Sequence, residues 1–306
     1  MLGSTFTLDT PDGVSLFTYR WLPDVPPKAV VQIAHGLAEH AGRYARLAEA
    51  LSDRGYAIYA NDLRGHGRTA KSADDLGFFA EQDGWNKCIG DLWRLNRHVT
   101  TRHPGLPIVL FGHSMGSFLA QQLISDHGEG FAGAVLSASN GKPPLIAMFA
   151  RQFARLERLR VGPRGRSALM HALLFATFNR PFRPARTPFD WLSRDPAEVD
   201  KYVADPLCGF GSTAQLYIDL LVALGEIATP ARQARIPKGL PIYIFNGSHD
   251  PVANNIGQLL AGYRAAGLEN VTHRVYREGR HESLNEINRD EVTRDLITWL
   301  DVITTT

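Results

Sequence analysis

At 306 residues, with 44% hydrophobic and 21% charged side chains, the chain has the composition of a globular protein that can bury a sizeable core, which excludes disorder, collagen and coiled coil. Lys and Arg number 33 against 31 Asp and Glu, a net charge of +2, so the basic excess of a dedicated nucleic-acid binder is missing and nucleic acid is not expected as a partner. Two cysteines, Cys88 and Cys208, lie far apart and in no CxxC spacing, so neither a disulfide framework nor a zinc ribbon is indicated, and a reducing compartment fits. The opening MLGSTFTLDTPD lacks the charged and long apolar regions of a signal peptide, and no run reaches the roughly 18 apolar residues of a membrane span. The expectation is a soluble, cytoplasmic protein.

In chain order, residues 14–21 (VSLFTYRW) alternate apolar and polar and predict an antiparallel edge strand. Residues 30–34 (VVQIA), 57–60 (AIYA), 108–111 (IVLF) and 134–138 (AVLSA) are continuous apolar runs, the pattern of strands covered on both faces. Between them, residues 43–54, 84–102 and 115–127 are long enough for helices and end near Gly or Pro. A βαβα order implies a mostly parallel sheet flanked by helices. From residue 141 to about 206 no strand pattern appears and Pro and Arg are dense, which predicts a helical insertion after the sixth strand. Within it Leu145, Met148, Phe149, Gln152, Phe153, Leu156 and Leu159 fall largely on one helical face, with Arg151, Arg155, Arg158 and Arg160 on the other. The α/β pattern resumes with a helix near 213–227, a strand at 242–245 (IYIF), a helix near 255–266, a strand at 271–276 and a last helix over 289–302. The expected division is a core of 1–140 and 207–306 with a helical cap, 141–206.

Gly112, His113, Ser114, Met115 and Gly116 spell GxSxG directly after an apolar strand and before a helical run. A sharp strand-turn-helix passage holds such a serine with its hydroxyl exposed above the sheet, and the glycines leave room for the turn. A serine hydroxyl near neutral pH needs a base, and the base an orienting carboxylate. Asp250 and His281 each follow the carboxyl end of a later strand, on the sheet edge where open α/β sheets bind ligands. His249 is a rival base and Asp62, Asp219 and Glu282 are rival acids. Asp62 follows an early strand and is better suited to shaping the pocket. The N–H groups of Met115 and, from the loop after residues 30–34, Leu37 are the expected oxyanion donors. His35, Glu39 and His40 do not have zincin spacing, and no phosphate-binding loop or GxGxxG occurs, so no metal or organic cofactor is expected.

With these residues assembled, the sequence resembles the α/β-hydrolase family that contains monoacylglycerol lipases, lysophospholipase-like esterases and serine aminopeptidase-like members. The matching segments are HGLAEHAGRY (35–44), NDLRGHGRT (61–69), GHSMGS (112–117), ADPLC (204–208), GSHDPV (247–252) and GRHES (279–283). The resemblance implies an α/β-hydrolase fold, Ser114 as nucleophile, Asp250 and His281 as its partners, and Leu37 and Met115 as oxyanion donors. It departs from the family at Ser117 and Ala38, where glycine is common; little effect is expected from either. ADPLC points toward the monoacylglycerol lipase branch.

The implied chemistry is hydrolysis of a small, lipid-like carboxylic ester through an acyl-enzyme. Alternatives are a lysophospholipase, a small-amide hydrolase or a catalytically silent binding protein. Residues 151–201 carry 11 basic and 5 acidic side chains, a local excess of +6. The amphipathic segment could therefore contact an anionic membrane or micelle surface transiently, or present a solvated outer face over a packed cap.

Overall fold

A computed structural model of the chain describes residues 2–143, 146–175 and 177–305, without the side chains of 146–148, 174 and 175. Eight strands form one sheet in the order β1-β2-β4-β3-β5-β6-β7-β8. They are β1 (Leu2–Asp9), β2 (Ser15–Leu22), β3 (Ala29–Ala34), β4 (Tyr56–Asn61), β5 (Ile108–His113), β6 (Gly133–Ser137), β7 (Ile242–Gly247) and β8 (Val271–Tyr276). From β4 to β8 every neighbouring pair is parallel, whereas β1 and β2 are antiparallel additions. This is the α/β-hydrolase arrangement.

The helices are α1 (Ala45–Ser52), α2 (Gly84–Arg102), α3 (Met115–His127), α4 (Ile146–Val161), α5 (Ala168–Phe175), α6 (Pro196–Ala204), α7 (Ala214–Ile227), α8 (Pro230–Gln233), α9 (Ile256–Ala265) and α10 (Arg289–Thr304). In α2 the residues Trp85, Cys88, Ile89, Leu92, Leu95 and Val99 recur at helical spacing and are all buried. They pack with α3, α7 and α9 on one face of the sheet, against Val30, Tyr59 and Leu110. On the other face Leu47 and Leu51 of α1 and Leu296 and Leu300 of α10 cover Val31, Ile58 and Phe111. Both faces of β3, β4 and β5 are thus dry, which is why those strands read as unbroken apolar runs. Each large side chain so buried contributes about 1.5–3 kcal/mol.

Two features differ from expectation. The strand β1 was not foreseen; its half-buried Phe6 and Leu8 alternate with polar residues and pack against the core, and backbone pairing from Leu2↔Leu22 to Asp9↔Ser15 holds it in place. The helix α4 is present, but its faces are arranged differently. Ala150, Phe153 and Ala154 pack with Tyr217 and Leu221 of α7, while Phe149, Leu156 and Leu159 are 76%, 64% and 79% exposed. The two alanines of the inward face let α4 lie close against α7, with Phe153 beside them. Leu145 and the side chain of Met148, expected on the same face, lie outside the described residues. No helix among the described residues is long and apolar enough to cross a membrane.

Candidate active site

Ser114 links β5 to α3 at φ 52° and ψ −121°, a region in which a non-glycine residue costs roughly 1–3 kcal/mol. Its surroundings hold it there. The Ser114 amide donates to the Ser137 carbonyl at 2.9 Å, and the Ser117 and Phe118 amides donate to the Ser114 carbonyl at 2.8 and 3.3 Å. A Cβ on Gly116 would stand 2.1 Å from the Ala34 carbonyl oxygen, and one on Gly112 2.4 Å from that of Gly116. The two glycines of the motif are therefore required by the approach of β3 and α3. Ser117 is more than a tolerated small residue: its hydroxyl donates to the Ser114 carbonyl at 2.6 Å and lies 2.9 Å from Ser139 Oγ.

His281 and Asp250 lie on the loops that follow β8 and β7, so both reach the sheet edge occupied by Ser114. His281 Nδ1 is 2.9 Å from Asp250 Oδ1, and both side chains are buried, at 3% and 0% exposure. Asp250 Oδ1 also accepts from the Val252 amide at 2.8 Å. Burial alone would lower the His281 pKa, yet the charge and hydrogen bond of Asp250, with Glu282 and Glu39, raise it above the ordinary value. The ring packs between Trp191 and His113, at centroid distances of 4.8 and 4.9 Å. His113 itself is pushed down to about 4 by burial and by His281, so it is neutral at pH 7.

None of the rivals is built this way. His249 is exposed. Asp62 accepts from the Ala41 and Arg68 amides at 2.8 and 2.7 Å, tying two loops together near the pocket. Asp219, pushed up to about 6 by burial, accepts from Gln215 at 2.8 Å. Glu282 is held by Arg43.

The loop carrying Leu37 is fixed from both sides. Glu39 Oε1 accepts from the Gly36 amide at 2.6 Å and from the Tyr44 hydroxyl at 2.9 Å. The other Glu39 oxygen meets Arg43 at 2.7 Å, and Arg43 forms two 2.7 Å bonds to Glu282, the residue after His281. Burial works against charge on all three side chains, but their mutual attraction outweighs it: both carboxyls are held below their usual range and the guanidinium above. A buried Glu39–Arg43–Glu282 strut thus joins the loop that carries Leu37 to the loop that carries His281. On the other side the Ala38 carbonyl accepts from the Tyr202 hydroxyl at 2.8 Å and the Gly209 amide at 2.9 Å. Ala38 has φ 55°, so its alanine occupies left-handed backbone that favours glycine, contrary to the little effect expected of it. Among the described residues neither the Leu37 nor the Met115 N–H makes an internal hydrogen bond.

Sequence reasoning did not find the strut or the Tyr202 bond. The Glu39–Arg43 spacing of four was a usable signal; the partners Glu282 and Tyr202 are too remote in sequence to give one.

Ser114, His281, Leu37 and Met115 all line a cavity of about 960 Å³. Its walls are mainly apolar, with Phe118, Leu220, Leu221 and Leu224 from α3 and α7 and Phe153, Phe178, Phe189 and Trp191 from the segment between β6 and α7. A second chemical grouping includes His40, three residues beyond Leu37: among the described residues His40, Asp205 and Cys208 alone bring three metal-type donor atoms within 4.8 Å of one another.

A sequence model of the family described as serine aminopeptidase, S33, matches residues 25–288. The chain is 29% identical over 294 residues to a monoacylglycerol lipase of Mycolicibacterium smegmatis, covering 94% of this chain and 93% of that one. It is 28% identical over 308 residues to the monoglyceride lipase of Homo sapiens, covering 96% and 89%. A solved carboxyl esterase from Bacillus coagulans, in complex with glycerol, superposes with a TM-score of 0.91 at 25% identity, covering 99% of each chain.

Proposed function

The chain belongs to the serine aminopeptidase S33 family, and from that premise we propose that it is a serine ester hydrolase whose substrates are monoacylglycerols. The observation that carries this reading is the position of Ser114 and His281 in the wall of a large apolar cavity. Such a cavity suits an acyl chain better than the polar or charged end of a peptide. The names of the relatives, monoacylglycerol lipase and monoglyceride lipase, and the esterase neighbour point the same way.

In this mechanism His281 takes the Ser114 proton as the hydroxyl oxygen attacks the ester carbonyl, and the charge on the carbonyl oxygen is met by the N–H groups of Leu37 and Met115. The bond to the alcohol then breaks, His281 returns the proton to the leaving oxygen, and glycerol departs. Water, deprotonated by His281, releases the fatty acid in the second half. Asp250 holds the imidazole tautomer and steadies the imidazolium. Each oxyanion donor contributes about 3 kcal/mol.

Residues 141–206 act as a cap over the core of 1–140 and 207–306. Phe149 lines the cavity while being largely exposed, and Leu156, Leu159, Leu169 and Leu173 stand exposed on the same segment beside Arg155 and Arg160. This surface supports transient docking on an anionic lipid surface, from which an amphiphile could enter.

The test is the initial rate on a chain-length series of monoacylglycerols beside a lysophospholipid, for the native protein and Ser114→Ala. Turnover of monoacylglycerols that falls by about 10⁴-fold or more in a folded Ser114→Ala variant is expected. Cleavage of the lysophospholipid alone, or an unaffected variant, would overturn the reading. For docking, Leu156→Ser with Leu159→Ser should weaken sedimentation with anionic vesicles, and raised salt should weaken it further.

A further inference from the structure

We propose that His40, Asp205 and Cys208 form a site for one zinc-like divalent ion, outside the catalytic pocket and bridging the oxyanion loop to the turn after α6. The three donor atoms lie within 4.8 Å of one another, and His40 Nε2 is 2.9 Å from Asp205 Oδ2. Around a tetrahedral zinc, ligand atoms at about 2.0–2.3 Å from the metal stand roughly 3.3–3.6 Å apart. Adjustments of a few tenths of an ångström to about one ångström would close the trio on an ion.

The chemistry of the donors selects the ion. Imidazole, carboxylate and thiolate suit zinc or cobalt(II), whereas calcium and magnesium want an all-oxygen shell. Ionised Asp205 and Cys208 would neutralise the two positive charges. Three protein ligands leave a fourth position for water.

The supporting shell is already in place. Asp205 Oδ1 accepts from the Leu207 amide at 2.8 Å, so Oδ2, now bonded to His40, is the oxygen that would turn to the ion, and the Cys208 amide bonded to the Asp205 carbonyl at 3.0 Å keeps Cys208 on the same turn. His40 Nε2 carries the proton that it donates to Asp205 Oδ2, and Nδ1 is buried without a partner among the described residues, so an ion that takes Nε2 would shift this proton to Nδ1. Binding forms a sulfur–metal bond and releases the Cys208 thiol proton to solvent, with no change of oxidation state.

His40 is two residues beyond Ala38, whose carbonyl is already held by Tyr202 and Gly209. An ion here would replace the direct His40–Asp205 hydrogen bond between the same two segments with coordinate bonds. The 165-residue separation of His40 from Asp205 explains why motif spacing gives no hint of it.

The experiment is titration of the purified, metal-stripped chain with Co²⁺, following the near-ultraviolet thiolate-to-cobalt charge-transfer band, then displacement by Zn²⁺. The sequence has only one other thiol, Cys88, which is fully buried in the core, so the band identifies its sulfur. One equivalent is expected, with the band retained in Cys88→Ser, lost in Cys208→Ser and shifted to more than tenfold weaker affinity in His40→Gln. Zn²⁺ should raise the melting temperature of the native chain and not that of Cys208→Ser. If Cys208→Ser does not fold by circular dichroism, Asp205→Asn takes its place and should also weaken binding more than tenfold. No band at one equivalent, a band that survives Cys208→Ser, or unchanged affinity in His40→Gln or Asp205→Asn would overturn the site.

Discussion

Replacing Arg43 by methionine keeps most of the side-chain volume and removes the cation that two buried carboxylates share. Arg43 is 13% exposed, Glu39 4% and Glu282 6%, so neither carboxylate can recover its loss from solvent. Removing one partner of a buried ionic group costs about 3–5 kcal/mol, and at about 2–3 °C per kcal/mol for a chain of this size the melting temperature should fall by roughly 6–15 °C. The pH dependence gives a sharper test. In the native protein both carboxyls have depressed pKa values, so they contribute stability above the unfolded value of about 4.3 that is lost as pH falls through the folded values. Without Arg43, burial dominates and pushes the same carboxyls above the unfolded value, so the variant should regain stability as pH falls from 7 toward 4.5. The gap between the two proteins therefore narrows on acidification. Urea denaturation followed by circular dichroism at several pH values measures it. The triple variant Glu39→Gln, Arg43→Met, Glu282→Gln, which leaves no buried charge, should be more stable at pH 7 than Arg43→Met alone. A cost below about 1 kcal/mol for Arg43→Met, or a gap that does not shrink with acid, would refute the strut.

The raised pKa of His281 places the acid limb of kcat/KM above about 6.5, with activity rising as the imidazole loses its proton. Glu282→Gln removes one of the charges that raise it and should move that limb to lower pH in a pH–rate profile; an unmoved limb would deny the coupling. Gly116→Ala should prevent folding or cost several kcal/mol, because its Cβ would stand 2.1 Å from a backbone oxygen, and near-native stability in urea would contradict the packing of α3 on β3. Ala38→Gly should stabilise by up to about 1 kcal/mol by relieving φ 55°, and a loss of stability in the same assay would argue against strain there.

Ser114, Asp250 and His281, the proposed nucleophile, acid and base, were legible as candidates because each signal is local. An apolar run names a strand, the next few residues name the turn, and the parallel order places the three turns on one edge. The elbow glycines and the helices 84–102 and 115–127 belong to the same class, since helical periodicity and turn chemistry act over a few residues. Contacts between remote segments carry no such mark. Arg43 meets Glu282 across 239 positions and Tyr202 reaches Ala38 across 164. The face that α4 turns inward was likewise decided by α7: two apolar stripes were available, and packing on α7 took the one with Ala150, Phe153 and Ala154 and left Phe149, Leu156 and Leu159 outside. Short-range order follows from steric and hydrophobic preferences written residue by residue. The strut and the loop ties arise only when the folded sheet brings distant loops to one edge.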